Sequence, residues 1–291
     1  MLLAVPALRA LAAAHPGTPL ALAAQPRIAR LCHTLGVVDR ALAFDALGLH
    51  ALFAGEAAPA RLPHLAEATR VVCWFGAGDP AFVARLRALV PEAVVAPPAG
   101  EGGPVWEHLL ASVGAQPEAR WRAPLEAPAA LLERGRRALL AAGWDSARPV
   151  LLAHPGAGGA DKRWPAEGFA RVLEPLAPHT ALVVHEGPAD AEAAAALAAR
   201  SRAPLLRLRE PDLDVLAGVL GLARGYLGND SGVSHLAAAL GVPALVLFTA
   251  GKLAWAPWAP AARTLVVSTQ ALDEGDVGRV ADALRSVLAE A

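Results

Sequence analysis

Short apolar runs alternate with helical stretches along almost the whole chain of 291 residues. This alternation constrains the fold most, because buried strands followed by amphipathic helices are the units of a parallel α/β sheet. In the first half the pattern predicts strands at 19–24, 70–75 and 92–97 and helices at 5–14, 80–89 and 104–113. The proline-spaced segment 116–128 predicts a connection over the surface.

The second half of the chain is more regular and predicts five strands in one sheet. The predicted strands lie at 148–154, 180–187, 203–208, 225–230 and 243–248, and the helices at 165–175, 189–200, 212–223, 231–241 and 276–291. Five strands joined by helical crossovers predict a doubly wound parallel sheet. We therefore expect two domains, 1–145 and 146–291.

Composition excludes several classes of protein. No apolar run reaches the roughly 18 residues of a membrane span, and the first residues lack the pattern of a secretory signal. A net charge of −1 argues against a nucleic-acid binder. Cys32 and Cys73 lack metal-ligand spacing, so buried thiols are expected. The dinucleotide and P-loop fingerprints are also missing, which argues against a nicotinamide dehydrogenase or a P-loop kinase.

The first segment with candidate chemistry is "HPGAGGADKRWP", 154–165, at the end of a predicted strand. Its glycines let the backbone approach a ligand, and Lys162 supplies a positive charge ahead of a helix that starts near Pro165. These features are typical of a diphosphate cradle. An ordinary strand-to-helix loop with a solvated lysine explains the segment equally well.

The second segment is "GNDSGVSHLAAALGVP", 228–243. Asp230 or Ser231 is a natural N-cap, and the amides of 231–233 point out of the helix start, where they favour an anion. His235 lies in the first turn. The alternative is a capped helix with a packed histidine.

The third segment, 185–200, places Glu186, Asp190 and Glu192 just past a strand end. A carboxylate there can accept ribose hydroxyls, although an acidic first turn also stabilises the helix dipole without any ligand. Carboxyl ends of parallel strands share one edge of a sheet, so the three segments together predict a nucleotide-diphosphate site.

Two of these segments, "HPGAGGADKRWPAEGFARVL" and "GNDSGVSHLAAALGVPALVLF", resemble glycosyltransferase family 9, the lipopolysaccharide heptosyltransferase family. "VPALRALAAAHPGTPLALAA" is similar to the family's N-terminal pattern, so the resemblance covers essentially the whole chain. It implies a GT-B architecture of two Rossmann-like domains facing each other across a cleft. The C-terminal domain would bind the nucleotide sugar and the N-terminal domain the acceptor, and the last helix, 276–291, would pack back on the N-terminal domain.

The resemblance also implies residue roles. Lys162 would contact the donor phosphates, Asp230 the hydroxyls of the transferred sugar, and the helix start at Ser231 and Gly232 the diphosphate. Glu192 would bind the ribose, although the family often has this acid where Ala191 stands. The full implied donor-binding set is Gly156, Ala157, Gly158, Lys162, Glu192, Asp230, Ser231, Gly232 and His235. "LFTAGKLAWAPW" replaces the family's usual Gly-Pro after the last strand.

The implied function is inverting transfer of a heptose-type sugar from an ADP-sugar to a lipopolysaccharide-core or related glycan acceptor. It needs no metal or cofactor, and we expect a cytoplasmic monomer with at most peripheral contact to the inner membrane. In the family the general base is an aspartate just before the first helix, a position that falls ahead of Met1 together with the first strand. We therefore assign no catalytic residue and expect the chain to bind ADP or an ADP-sugar with little transfer.

Three alternatives stay open at this point. Asp79 is the nearest substitute for the base, but a plain loop acid is the stronger interpretation of this residue. A non-catalytic member that binds a nucleotide-sugar is the main alternative function. A sugar-nucleotide epimerase of similar two-domain shape is the weaker one.

Overall fold

The structure is a computed structural model that describes residues 1–53 and 62–290. Its contacts divide the chain into two units, the first comprising Leu3–Trp121 with Met1 and the second Arg122–Ala291 with Leu2. The second unit thus also contains residues 122–145, which the sequence pattern assigns to the first domain.

The first unit holds two short parallel sheets within the described residues. Strand β1 (Ala21–Ala24) pairs with β2 (Arg40–Ala43), and β3 (Val72–Cys73) pairs with β4 (Val94–Val95). Its helices are α1 (Val5–Ala14), α2 (Pro26–Thr34), α3 (Pro63–Ala66), α4 (Pro80–Leu89) and α5 (Val105–Ser112). Both predicted thiols, Cys32 and Cys73, are buried as expected.

The second unit contains a six-stranded parallel sheet in the order β10-β9-β8-β5-β6-β7. The strands are β5 (Val150–His154), β6 (Ala181–Glu186), β7 (Leu206–Arg209), β8 (Ala223–Asn229), β9 (Ala244–Phe248) and β10 (Ala262–Val266). The helices are α6 (Ala129–Ala141), α7 (Ala166–Leu173), α8 (Ala191–Arg200), α9 (Leu213–Leu222), α10 (Gly232–Ala239) and α11 (Glu274–Ala289). This topology confirms the predicted doubly wound sheet, in which ligands bind at the carboxyl edge.

The expectation of five strands was wrong by one, since β10 adds a sixth at the sheet edge. Its sequence, "ARTLV", mixes charged and polar residues with apolar ones and is only partly buried. An edge strand pairs on one side only and needs less apolar surface than the central strands. The apolar pattern therefore identifies the central strands more readily than this one.

Helices α6 and α9 cross at a pair of glycines. A Cβ atom at Gly218 would lie 1.8 Å from the Leu131 carbonyl oxygen, and one at Gly135 would lie 2.3 Å from the Gly218 carbonyl carbon. The two backbones are thus in direct contact, which only glycine permits. This packing joins α6 to the second unit.

Helix α11 packs on the core of the second unit through Val277, Val280 and Leu284. Residue 291, the last of the helix predicted at 276–291, lies outside the described residues. Among the helices that the structure describes, none is both long enough and apolar enough to cross a membrane.

Candidate functional site

The glycine-rich loop after β5 is held at both ends by Asn229, the last residue of β8. The Asn229 side-chain amide donates a 2.8 Å hydrogen bond to the Pro155 carbonyl, and its Oδ1 accepts one of 3.1 Å from the Trp164 backbone amide. Both Asn229 and Trp164 are buried. The loop's path is therefore fixed from the neighbouring strand by Asn229, a residue for which no local sequence pattern predicts a role.

Lys162 and Asp230 form the central ion pair of the site. The Lys162 ammonium donates to Asp230 Oδ2 at 2.7 Å, although the residues are 68 positions apart in sequence. The Asp230 side chain is 8% exposed and that of Lys162 31%. The lysine thus reaches from the loop to the buried acid at the start of α10, with part of its side chain still open to solvent.

His235 approaches the same carboxylate from the first turn of α10. Its Nε2 lies 3.8 Å from Asp230 Oδ1. Burial lowers the pKa of His235 to about 4, although the negative charge of Asp230 acts in the opposite direction. The imidazole is therefore neutral at pH 7, and the positive charge beside Asp230 comes from Lys162.

The start of α10 is built around a network of hydroxyls. Ser231 is the N-cap, and its Oγ accepts from the Ser234 amide at 3.3 Å. The Ser234 hydroxyl bonds the hydroxyl of the buried Tyr226 at 2.8 Å, and burial raises the pKa of that phenol. The amides of Gly232 and Val233 come too early in the helix to have intrahelical acceptors. Amides in this position at a helix start favour an anion.

Two glycines of the predicted set have open space in front of them. A Cβ atom added at Gly158 or Gly232 would meet no other heavy atom within 4 Å among the described residues. A Cβ at Gly156, in contrast, would lie 2.1 Å from Asp190 Oδ1. The loop is therefore packed at Gly156 and accessible at Gly158.

Two buried histidines lie at the ends of β5 and β6. Their Nδ1 atoms are 3.1 Å apart, and His154 Nε2 is 3.9 Å from Asp190 Oδ2. Burial lowers the pKa of both imidazoles, that of His185 to about 3. His154, His185 and Asp190 offer metal-ligand atoms within 4.8 Å of one another. A hydrogen bond between the neutral rings already accounts for their closeness.

The three acids at and beyond the end of β6 have different surroundings. Glu186 is buried and paired with Arg207 and, at 3.8 Å, with Arg209. Asp190 accepts the Gly187 amide at 3.2 Å and packs beside the glycine loop. The side chain of Glu192 is 92% exposed, with its carboxylate 3.9 Å from the Arg163 guanidinium. Glu192 contacts none of the groups gathered around Lys162, and its assignment to the ribose remains a prediction.

Asp79 in the first unit has a structural role. It is the N-cap of α4, and its Oδ1 accepts the amides of Ala81 and Phe82 at 2.9 and 3.1 Å. Such caps stabilise a helix by about 1 kcal/mol. The structure thus agrees with the interpretation of Asp79 as a loop acid.

Comparisons with known proteins identify the family and the fold of the chain. The model of glycosyltransferase family 9 (heptosyltransferase) matches residues 114–281, which is more than half of the chain and includes every residue of the predicted donor-binding set. A sequence comparison with curated proteins gives no match.

Solved structures of the same fold cover nearly the whole chain. Escherichia coli ADP-heptose lipopolysaccharide heptosyltransferase II is 21% identical with a TM-score of 0.74, covering 100% of this chain and 95% of that one. A family 9 glycosyltransferase from Veillonella parvula is 15% identical with a TM-score of 0.76, covering 100% and 94%. The E. coli heptosyltransferase WaaC with ADP is 17% identical with a TM-score of 0.68, covering 98% and 95%. The expected GT-B fold class is confirmed, and the chain belongs to glycosyltransferase family 9.

Proposed function

We propose that this glycosyltransferase transfers a heptose-type sugar from an ADP-sugar to a lipopolysaccharide-core or related glycan acceptor. The observation that carries the donor site is the 2.7 Å pair of Lys162 and Asp230 beside the first turn of α10. A diphosphate is recognised by a cation together with free amides of a helix N-terminus. Two similar E. coli proteins support the adenine nucleotide, since one is an ADP-heptose enzyme and the other was solved with ADP.

The proposed reaction breaks the bond between the sugar C1 and the diphosphate oxygen and joins C1 to an acceptor oxygen. ADP leaves with the electron pair of the broken bond, and the acceptor hydroxyl loses its proton to a base. The transition state has oxocarbenium character. Lys162 and the amides of Gly232 and Val233 would neutralise the departing diphosphate, while Asp230 would accept hydroxyls of the transferred sugar.

No carboxylate among the described residues is assigned as the general base in this proposal. The oxygen of Asp79 that caps α4 is engaged with two backbone amides, and proton transfer by a placed base contributes about 10²–10⁴ in rate. We therefore expect the 291-residue chain to bind donor well and to transfer sugar slowly. A non-catalytic, nucleotide-sugar-binding member of the family is the second candidate, favoured by the same engagement of Asp79.

The setting of the reaction is part of the proposal. A lipopolysaccharide-core acceptor is a glycolipid, and a cytoplasmic monomer with peripheral contact to the inner membrane would reach it. Flotation with vesicles that carry the acceptor tests this contact.

Calorimetry with ADP, ADP-heptose and UDP tests the donor site. We expect ADP and ADP-heptose to bind and UDP to bind at least about tenfold more weakly, a difference of about 1.4 kcal/mol. If neither adenine nucleotide binds, the donor assignment is wrong. Mass spectrometry of a heptose-free core acceptor after incubation with ADP-heptose then separates the two candidates, because product formation excludes the binding-only function.

A further inference from the structure

Two strand ends and one helix start of the second unit bring two imidazoles and a carboxylate together. His154 is the last residue of β5, His185 the last but one of β6, and Asp190 the N-cap of α8. Because β5 and β6 are parallel neighbours in the sheet, the two histidines lie side by side at its carboxyl edge. One ligand atom from each of the three residues lies within 4.8 Å of the other two.

Hydrogen bonds explain only part of this arrangement. The two Nδ1 atoms are 3.1 Å apart, and His154 Nδ1 is also 3.4 Å from the His185 carbonyl oxygen. Within residues 1–53 and 62–290, Asp190 forms no hydrogen bond to either ring, since its Oδ2 is 3.9 Å from His154 Nε2. A hydrogen bond between the rings therefore explains their closeness but not the position of the carboxylate.

The Asp190 carboxylate is directed away from the helix that it begins. An aspartate at an N-cap normally accepts amides of the first helical turn, yet Asp190 makes no such bond. Its Oδ2 accepts the Gly187 amide at 3.2 Å. A Cβ atom at Gly156 would lie 2.1 Å from its Oδ1, and one at Gly187 would lie 2.7 Å from its Oδ2. Two glycines thus make room for the carboxylate beside the histidines.

The charge of Asp190 has no cation in contact with it. Its side chain is 13% exposed, and no lysine or arginine nitrogen in the described part of the chain lies within 4.0 Å of its carboxylate. Arg163, in the adjoining loop, donates to the Ala189 carbonyl at 3.3 Å and lies 3.9 Å from Glu192. A carboxylate with so little exposure is costly unless it is paired or coordinates a metal.

We propose that His154, His185 and Asp190 bind one Zn²⁺ ion. Imidazole nitrogen and carboxylate oxygen are zinc ligands with bonds of about 2.0–2.2 Å, which places the ligand atoms of a tetrahedral site roughly 3.3 Å apart. The 3.1 Å between the Nδ1 atoms is close to this spacing, and the carboxylate would move toward the metal by roughly 1 Å. A water would complete the four ligands. Sites of this kind bind Zn²⁺ more tightly than Fe²⁺.

Zinc would replace the hydrogen bond between the two rings. Each neutral imidazole carries one proton, so the ring that holds its proton on Nδ1 would move it to Nε2, and both Nδ1 atoms could then bind the metal. The ion would join β5, β6 and the start of α8 next to the glycine-rich loop. It takes no part in glycosyl transfer, and the proposal does not depend on that activity.

Zinc titration of the full chain tests the site. The protein is stripped with EDTA, dialysed and titrated with zinc chloride against a chromophoric chelator. We expect one Zn²⁺ per chain with a Kd of about 1 µM or lower. Loss of an outer-shell partner alone weakens metal binding by about 10–100-fold, so His185→Leu and Asp190→Asn should each weaken it by at least about a hundredfold. His179→Gln, which removes an exposed histidine of the same unit, should leave the affinity unchanged. Equal affinity in the parent chain and both ligand variants overturns the proposal.

Thermal unfolding gives a second readout and shows whether each variant folds. Zn²⁺ at 100 times Kd should increase the ratio of folded to unfolded parent chain by about a hundredfold and so raise its melting temperature. His185→Leu places an aliphatic side chain in a buried position, so we expect it to fold without metal and not to respond to Zn²⁺. An unchanged melting temperature of the parent chain, or an equal rise in His185→Leu, would show that no zinc binds at these residues.

Nitrogen-15 NMR of the histidine rings needs no substitution. The chain has nine histidines, and one equivalent of Zn²⁺ should shift the ring nitrogen signals of His154 and His185, assigned by through-bond correlation in the parent chain. Shifts confined to exposed rings such as His179 would show surface binding only and overturn the proposal.

Discussion

Lys162 and Asp230 hold each other in place before a donor is bound. A nearly buried carboxylate without a cation would be costly, and the 2.7 Å contact satisfies it. Because the lysine remains partly exposed, it can also face an incoming diphosphate. The pair therefore holds the positive charge beside Asp230, two residues ahead of the first residue of α10.

Removing this charge should weaken nucleotide binding. Lys162→Ala is expected to reduce ADP affinity by about tenfold to a hundredfold, because a hydrogen bond to a charged group contributes about 1.5–3 kcal/mol. Arg137→Ala, on an exposed position of α6, removes one positive charge elsewhere and should leave the affinity unchanged. Isothermal titration with ADP measures both. An unaltered affinity in Lys162→Ala would refute the phosphate contact.

Asn229 should matter for stability as well as for the shape of the loop. Asn229→Ala leaves the Pro155 carbonyl and the Trp164 amide without their partners, and each buried unsatisfied group costs about 1–3 kcal/mol. Asn229→Asp retains an acceptor for Trp164 but places an unpaired, fully buried carboxylate against the Pro155 carbonyl, so its loss should be at least as large. Urea unfolding gives both values, and equal stability of all three proteins would contradict the clamp.

The buried histidines make the fold sensitive to acid. Burial lowers the pKa of His235 to about 4 and that of His185 to about 3, whereas an unfolded histidine titrates near about 6.5. Between these values the unfolded chain binds protons that the folded chain does not. The free energy of unfolding is therefore highest above about pH 6.5 and falls toward pH 4, by about 1.4 kcal/mol per pH unit for each such proton.

His235→Phe tests this dependence by removing one of the titrating groups. Urea unfolding at pH 7.5, 6 and 5 should give a shallower fall in stability for the variant than for the parent chain. A parallel fall in the two proteins would show that His235 takes up its proton in the folded state as readily as in the unfolded state.

At the scale of secondary structure, the sequence predicts some boundaries well. Helices α1 and α4 span the predicted 5–14 and 80–89, since proline in the first turn marks both starts. Helix α2 and strand β2 were not predicted, because "RALA" in β2 is mostly exposed and lacks an apolar run. Segment 116–128 was expected at the surface, yet Leu125 is buried and its amide bonds the Ala239 carbonyl.

In the candidate site, the sequence predicts which residues take part but not which contacts they make with residues distant in sequence. Lys162, Asp230 and His235 could be identified because the carboxyl ends of parallel strands share one edge of the sheet. Their pairing and the clamp by Asn229 depend on contacts between residues more than 60 positions apart, and no local pattern encodes such a contact. In the sequence "GND", Asn229 stands directly before Asp230, but only the structure shows that the Asn229 side chain holds the glycine-rich loop.

The close crossing of α6 and α9 predicts how a substitution at Gly218 changes stability. Gly218→Ala places a methyl group against the Leu131 carbonyl, so we expect a loss of about 1–3 kcal/mol from overpacking. Gly278→Ala in α11 is the matched control, because a Cβ there meets no described atom within 4 Å. Helix propensity alone should stabilise the control by up to about 1 kcal/mol. Thermal unfolding measures both variants. A lower melting temperature for Gly218→Ala together with a higher one for Gly278→Ala would confirm the close crossing, and a change in the same direction for both would contradict it.

At the scale of the whole molecule, the second unit contains every residue of the proposed donor-binding set. Its core runs from Leu151 in β5 to Leu284 in α11. We therefore expect a fragment of residues 122–291 to fold and to bind ADP with an affinity within about threefold of the full chain, a difference below about 1 kcal/mol. A tenfold or larger loss of affinity would show that residues of the first unit contribute to donor binding.

A second fragment, 146–291, decides where this unit begins. It lacks α6, so the α9 surface around Gly218 is uncovered and the fragment should unfold at a lower temperature than 122–291. Ligand that binds only the folded state adds about 2.7 kcal/mol at a concentration of 100 times Kd. ADP should therefore raise the melting temperature of both fragments, but from a lower starting value in 146–291. If the two fragments melt at the same temperature without ligand, α6 does not stabilise this unit. The domain boundary would then lie near residue 145, as the sequence predicts.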